Sequence, residues 1–171
     1  MNYMSKCTEP KTSSATSCDD DFSSANASTN IKCALSTAST VFPVGTPVGT
    51  TSVVASLNLD NTNLCNTSSL VEFETQLIGG AGLTAAALTL QIFKTLECNP
   101  TAAPIPVTPL WTFAATSPRT SIIRFFNCDQ GDCANYYVVA TVTTAIAGGS
   151  VTIANPRINI VSAANENCCN F

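Results

Sequence analysis

The side chains of this sequence that are most able to do chemistry are the thiols of its nine cysteines. Because nine is odd, at least one cysteine cannot pair within the chain, which indicates a free thiol or a bond to another molecule. Cys168 and Cys169 are adjacent, and adjacent cysteines rarely bond to each other without strain. The pattern favours disulfide chemistry and leaves the partners of these two thiols open.

Two further cysteines, Cys128 and Cys133, flank a glycine-containing turn in "NCDQGDC", and their spacing favours a local disulfide. Structural zinc sites usually contain C-x2-C pairs and often histidine, and the sequence has neither. The run of aspartates at 19–21 lacks the alternating oxygen ligands and the glycine of a calcium loop. We therefore predict no metal and no cofactor.

Catalytic constellations are equally scarce. The chain has no histidine, which excludes Ser-His-Asp and Cys-His nucleophilic catalysis because the general base is missing. Glu72 and Glu74 should project from one face of a strand, about 7 Å apart, which is compatible with a glycosidase carboxylate pair. Outward glutamates are, however, what an amphipathic strand requires in any case. We predict no catalytic residues and no enzymatic activity.

The composition limits the partners of the chain. Only 11% of the residues are charged, with seven Lys and Arg and a net charge of −4. Nucleic-acid binding needs clustered basic residues that replace phosphate counterions, so we predict none. No apolar run approaches the ~20 residues that span a bilayer, so we predict no membrane segment. A surface covered mainly by uncharged polar residues gives little repulsion between copies, which favours self-association.

The cysteines and the first residues give opposing indications of the cellular compartment. Nine cysteines are typical of an oxidising environment, yet the start "MNYMSKCTEP" has no apolar segment of a secretory signal. Three explanations fit both observations: metal binding in a reducing cell, a signal missing from the sequence, or oxidation after release by other means, such as cell lysis.

The chain divides into three segments. Residues 1–30 hold too few large apolar groups to offset the entropy of ordering, so we expect a flexible N-terminal connector arm. Residues 31–163 are short runs rich in Val, Ile, Thr and Phe between Gly, Pro and Asn, which is typical of strands and turns. Residues 164–171 are predicted to be a cysteine-bearing C-terminal tail.

About eight strands are predicted in the middle segment, with no long amphipathic helix. In "SLVEFETQL" apolar and polar residues alternate, so Val71 and Phe73 should face the core while Glu72 faces outward. Pro156 interrupts the last apolar run and predicts an edge position or a bulge. The regular turn signals predict a sandwich, and we expect an all-β fold, an eight-stranded jelly-roll-like β-sandwich.

These segments divide the cysteines into two groups. Thiols on the arm and tail gain little as staples of their own fold, so they are candidates for bonds between subunits: Cys7, Cys18, Cys168 and Cys169. Thiols in the predicted sandwich and its loops are candidates for bonds within the domain: Cys33, Cys65, Cys98, Cys128 and Cys133.

Segments such as "PIPVTPLWTFA" and "IIRFFNCDQGDCANYYVVATV" resemble a family of small cysteine-rich proteins from spore-forming anaerobic bacteria, a domain family of unknown function. The resemblance covers about residues 32–162. In architecture the chain also resembles the endospore appendage subunits of bacilli, which are jelly-roll domains with an N-terminal cysteine-bearing connector. Those subunits stack into fibres by sheet augmentation, and the connector forms disulfides to neighbouring subunits. The second resemblance concerns architecture, so no residue pairing is carried over.

The resemblance implies a structural protein at the spore surface, outside the cell. Such proteins are made in a mother cell, need no signal peptide, and are exposed to oxidation after lysis. We expect a self-assembling fibre or appendage subunit that polymerises by sheet augmentation and intersubunit disulfides. Its expected partners are other copies of itself and spore coat or exosporium proteins.

The alternative is a jelly-roll adhesin or carbohydrate-binding module, which requires an exposed aromatic platform or a calcium site. Trp111 is the only tryptophan, and its alternation with Phe113 is typical of a core position.

Overall fold

The computed structural model describes residues 29–35, 38–61, 67–96, 101, 103–130 and 133–164. This part of the chain contains ten strands and no helix. The strands are β1 (Thr29–Leu35), β2 (Thr40–Phe42), β3 (Thr51–Leu59), β4 (Thr67–Gly79), β5 (Ala85–Leu96), β6 (Ile105–Pro106), β7 (Trp111–Ala115), β8 (Thr120–Gln130), β9 (Ala134–Ala147) and β10 (Val151–Ala164).

The strands form two five-stranded antiparallel sheets. The first sheet has the order β1-β10-β4-β8, and β2 also pairs with β10. The second sheet has the order β3-β9-β5-β6, and β7 also pairs with β5. Strands that follow each other in sequence repeatedly change sheet, as in a jelly roll, which confirms the predicted all-β sandwich.

The predicted count of eight strands is wrong, because two edge strands of the sandwich are each divided in two. In the first sheet β10 has an irregularity between Ala154 and Arg157, where Asn155 has a φ of 52° and Pro156 cannot donate a hydrogen bond. β2 pairs with β10 before this bulge and β1 pairs with it after the bulge. The bulge predicted at Pro156 is therefore confirmed, and it lies in a central strand.

Prolines divide the second edge in the same way. β6 ends at Pro106 and β7 begins after Pro109, and neither proline has an N–H for the ladder with β5. Between them the hydroxyl of Thr108 accepts a hydrogen bond of 3.0 Å from the backbone N–H of Ile92. A side chain thus replaces a main-chain partner where the strand is interrupted.

The core follows from the alternation in the sequence. Val71 and Phe73 on β4 are fully buried, while Glu72 between them lies on the outer face, as predicted. Phe73 packs on Phe125 of β8 with ring centroids 5.4 Å apart. Each such apolar side chain contributes about 1.5–3 kcal/mol by leaving water, so the rows that face between the two sheets hold the sandwich together.

One end of the sandwich is closed by buried polar groups, and we call it the polar end. Here Lys94 Nζ on β5 lies 2.9 Å from Asp129 Oδ2 on β8, so the ion pair joins the two sheets. The Tyr136 hydroxyl donates to the same carboxylate at 2.7 Å, and the hydroxyls of Ser69 and Ser162 are 2.7 Å apart. Among the described residues, every buried side-chain N or O has a hydrogen-bond partner, so this network carries no desolvation penalty of an orphaned group.

The opposite end is closed by two glycine turns that touch. Gly82 after β4 and Gly148 after β9 both have positive φ, at 79° and 76°. A Cβ placed on Gly82 would lie 2.7 Å from the carbonyl oxygen of Gly148. These turns therefore need glycine both for backbone conformation and for close approach.

Gly82→Ala and Gly45→Ala separate these two requirements. Gly45 also has a positive φ, 85°, but no atom lies within 4 Å of a Cβ placed there. We expect Gly45→Ala to lower the free energy of unfolding by about 1–2 kcal/mol, the cost of the left-handed conformation. Gly82→Ala adds a steric term and should cost about 2–5 kcal/mol. Urea unfolding measures both, and equal losses would show that the two turns do not constrain each other.

Candidate assembly interface

The edges of the sandwich are the surfaces that the fold leaves without a covering strand. β1 and β3 lie together on one lateral side, where they line a common cleft. β7 and β8 lie on the other side, where the ring of Trp111 stacks on Phe125 with centroids 5.3 Å apart. We call these the β1–β3 side and the β7–β8 side. Each presents one edge strand from each sheet.

These edges have few of the devices that normally prevent pairing with another molecule, which include charges, prolines, bulges and very short strands. β3 has one of them, a bulge between Val53 and Ala55. β3 is nine residues long and has no charged residue and no proline. β8 is eleven residues long, and its two charged residues are already paired: Asp129 with Lys94, and Arg124 with Glu72. Long, nearly uncharged edge strands of this kind favour sheet augmentation.

β8 is unusual because it is apolar on both faces. Phe125 faces the core and is buried, and Ile123 packs against the core. Ile122 and Phe126 face away from it, and each is 69% exposed. A strand covered on one face is expected to alternate apolar with polar residues, whereas a continuous apolar run is typical of a strand buried on both faces. In the sequence this indication is the run "SIIRFF", in which apolar residues do not alternate with polar ones.

The β1–β3 side carries a cleft of about 250 Å³ between its two edge strands. Ala34 and Leu35 line it from β1, and residues 53–56 line it from β3. β3 has a bulge between Val53 and Ala55. The bulge places two consecutive residues, Val54 and Ala55, on the buried side of the strand. The floor of the cleft therefore consists of two nearly buried apolar side chains, between the main-chain edges of β1 and β3.

Three of the nine cysteines lie among the described residues. Cys33 is on β1 and is exposed. Cys128 lies near the end of β8, opposite Leu70 of β4. Cys133 precedes β9, and its sulfur lies 3.6 Å from Asp60 Oδ1 and accepts a hydrogen bond of 3.3 Å from the Asn61 N–H. Both Cys128 and Cys133 are thus at the polar end.

The other six predicted cysteine sites lie outside the described residues: Cys7, Cys18, Cys65, Cys98, Cys168 and Cys169. Their disulfide pairings stay predictions. Connectivity nevertheless relates them to the polar end. The segment with Cys65 joins Asn61 to β4, Cys98 follows the last residue of β5 by two positions, and β1 begins and β10 ends here, at Thr29 and Ala164. Of the three described cysteines, Cys33 lies farther along β1.

One member of the carboxylate pair considered as a catalytic site, Glu72, forms a surface ion pair with Arg124. Glu72 accepts a hydrogen bond from Arg124 on the neighbouring strand and another of 3.3 Å from Asn159. The hydrogen bond from Arg124 lowers the pKa of Glu72 below its ordinary value of 4.5. A general acid of a glycosidase needs a raised pKa, so Glu72 is unsuited to that role.

A shallow groove of about 280 Å³ lies on the outer face of the second sheet. The rings of Phe93 and Tyr137 stack in it with centroids 6.0 Å apart. Thr89, Gln91 and other polar residues also line it. Trp111, predicted as core, is 43% exposed because it packs at the open edge between the two sheets. The aromatic platform that the alternative function requires is thus formed by residues that we did not single out.

In the described part of the chain, potential metal ligands are dispersed and the regular elements are strands. No group of three or more His, Cys, Asp or Glu side chains there could hold a metal ion. No helix there has the length and apolar character needed to cross a membrane. The aspartates at 19–21 lie outside these residues.

Comparison with known proteins identifies a family. The family model DUF4489, described as a domain of unknown function, matches residues 27–163. No curated protein matches the chain. The chain is similar to three solved structures of infectious bursal disease virus. For the T13 particle the identity is 12% and the TM-score 0.48, with 79% of this chain and 35% of that chain covered. For VP2 in derived T=1 particles the identity is 12% and the TM-score 0.48, with 80% of this chain and 36% of that chain covered. For the Gx strain the identity is 10% and the TM-score 0.47, with 82% of this chain and 37% of that chain covered. This chain spans little more than a third of each viral chain.

The ion pair at Glu72 predicts a pH dependence of stability. Because its pKa is lowered in the folded state, Glu72 stabilises the fold above its ordinary pKa of 4.5, and this contribution is lost as the pH falls through the lowered value. We expect Glu72→Gln to lower the melting temperature by no more than about 2 °C at pH 7, since exposed pairs contribute little. The difference from the wild type should shrink as the pH falls below 4.5. Glu74→Gln keeps the pair and is the control; a difference that did not shrink below pH 4.5 would contradict the assignment.

Proposed function

This chain belongs to the DUF4489 family of domains of unknown function, and we propose its function from its own geometry. We propose that the chain is a structural subunit that assembles with copies of itself into a fibre or appendage at the spore surface. Sheet edges of neighbouring copies pair, and disulfides then link the copies covalently. The spore location rests on the resemblance to spore proteins, and spore coat or exosporium proteins are the proposed attachment partners.

The observation that carries the proposal is the presence of long, nearly uncharged edge strands on two opposite sides. β3 and β8 belong to different sheets and to different lateral sides. A contact between two such different surfaces is heterologous, and repeated heterologous contacts give rings or open filaments rather than closed dimers. The low charge of the chain supports this, since 11% charged residues give little repulsion between copies.

The distribution of cysteines supports covalent linkage. The described strands begin at Thr29 and end at Ala164 at the polar end, so the arm or tail of one copy has only to reach the same end of a neighbour. We propose that Cys7 or Cys18 of one copy bonds to Cys168 or Cys169 of another. In each bond two thiols lose two protons and two electrons to an oxidant such as molecular oxygen. Such bonds slow dissociation and so resist heat and denaturant.

A second candidate function is a carbohydrate-binding module or adhesin. The stacked rings of Phe93 and Tyr137 beside Thr89 and Gln91 favour it, because sugar rings pack on aromatic faces while polar groups fix their orientation. The groove is open and shallow, and nothing in it is strongly charged. This function is compatible with assembly, since the groove lies on a sheet face and not on an edge.

Electron microscopy of the purified full-length protein tests the assembly directly. We expect ordered polymers under oxidising conditions that withstand denaturant, and that dissolve in the same denaturant once a strong reductant is added. A variant with Ser at positions 7, 18, 168 and 169 is the control. It should still polymerise, but its polymers should dissolve in denaturant without reductant.

Each part of the proposal has its own contradicting result. Polymers that are unchanged by reductant, with no intermolecular cysteine peptides in mass spectrometry, would contradict covalent linkage. Monomers alone under oxidising conditions would contradict the structural function and favour the binding module.

A further inference from the structure

The exposed apolar face of β8 and the cleft on the β1–β3 side are complementary parts of one contact. We propose that Ile122 and Phe126 of one copy enter the cleft between β1 and β3 of the next copy, with β8 extending the second sheet of that copy beyond β3. The partner is thus a second copy of this chain, and the contact is directional. This inference rests on the proposed self-assembly and specifies the surfaces that perform it.

The position of the two edges within the sandwich leads to this contact. β8 is the edge of the first sheet on one side, and β3 is the edge of the second sheet on the opposite side. When two copies with the same orientation join these strands, the first sheet of one copy continues into the second sheet of the other. The outer face of β8 then lies on the same side as the inner face of β3. Residues that face solvent in one copy are thereby directed between the two sheets of its neighbour.

The side chains match this placement. The apolar residues on the outer face of β8 are Ile122 and Phe126, and both are largely exposed in the single chain. The cleft that would receive them has Ala34 on the β1 wall and Val54 and Ala55 on its floor. Small side chains on the wall and floor leave room for large ones from outside, as close packing of a core requires. The contact thus explains why β8 is apolar on both faces.

Two charged residues lie close to this contact: Arg124 on β8, and Lys32, which is exposed and lies on the same face of β1 as Ala34. Arg124 lies between the two apolar residues on the outer face of β8, but its guanidinium is paired with Glu72 of the same copy. Residues 53–56 and residues 34–35, which line the cleft, include no charged residue. No unpaired charge from these residues would therefore be desolvated when the strands join.

Strand direction gives a second consequence. β3 and β8 both run towards the polar end, because Leu59 pairs with Ala134 at the start of β9 and Gln130 pairs with Ser68 at the start of β4. Copies with the same orientation therefore join these two strands in parallel. All polar ends then lie along the same side of the polymer. This arrangement puts the residues from which the cysteine-bearing segments continue, Thr29 and Ala164 among them, on the same side in adjacent copies.

Two substitutions that block opposite surfaces test the inference in the full-length protein under reductant. Phe126→Asp blocks the β8 surface and leaves the cleft intact, whereas Ala34→Asp, on the inward face of β1, blocks the cleft and leaves β8 intact. Each variant alone should remain monomeric at concentrations at least tenfold above those at which the wild type polymerises. An equimolar mixture should form a 1:1 heterodimer and stop there, because only one intact contact remains. Native mass spectrometry with one variant isotopically labelled measures this.

Val48→Asp is the matched control. Val48 is 61% exposed and lies outside the cleft, while Ala34 lines it. The control should polymerise like the wild type, and all variants should keep the wild-type circular dichroism spectrum. Homodimers of either single variant would overturn the inference, since they require a contact between identical surfaces.

Other outcomes separate this inference from the proposed function. If the wild type polymerises and both Phe126→Asp and Ala34→Asp polymerise equally well, the specific contact is wrong and the structural function stands. If the wild type forms no polymer at all, both fail together.

Discussion

A strand at the edge of a sheet presents its backbone N–H and C=O groups outward on one side, and this constraint shapes the whole molecule. In this sandwich two sheets have four edges, and the two outer faces are occupied by polar and mixed residues. A monomeric protein normally protects such edges with charge or proline. Here the two edge strands divided by prolines and bulges are the β1/β2 and β6/β7 pairs, while β3 and β8 are continuous and nearly uncharged. The protection is unequal, and the less protected strands are those on opposite sides in different sheets.

The core and the polar end make these edges rigid. Rows of buried residues such as Val71 and Phe73 fix the register of β4, because a slip by one residue would turn Glu72 into the core. The ion pair between Lys94 and Asp129 joins the sheets where β8 ends. A preorganised edge loses little conformational freedom when it pairs. β1 begins and β10 ends at this same polar end. The cysteine-bearing segments are therefore attached at one end of the sandwich, and the length of the edge strands is left for pairing.

Much of the fold was predictable from the sequence, because apolar and polar residues alternate along a strand that has one buried face. The inward positions of β4 and β5 and the bulge at Pro156 follow from local chemistry. The division of two edges into separate strands does not follow from local chemistry. It depends on which strand lies opposite Asn155, and on the hydroxyl of Thr108 accepting the hydrogen bond of a main-chain N–H in place of a main-chain carbonyl. That is information about pairing, which one sequence does not contain.

The assembly surfaces were harder to predict than the fold. The sequence shows which residues are cysteines. It does not show which end of the sandwich the cysteine-bearing segments adjoin, because that depends on where each strand begins and ends. The outer face of β8 was visible as "SIIRFF", yet its meaning depends on knowing that β8 is an edge strand and that Ile122 and Phe126 face away from the core. Trp111 was assigned to the core from its spacing, and it does pack on Phe125, but its edge position leaves it partly exposed.

The central claim is that sheet edges of different copies pair, and amide hydrogen exchange tests it most directly. The measurement compares assembled and dispersed full-length protein under reductant, with resolution by residue. The account predicts that amides of Thr51–Leu59 and Thr120–Gln130 exchange about tenfold or more slowly on assembly, while those of the central strands β4 and β9 change little. Unchanged exchange in both edge strands of an assembled sample would contradict it.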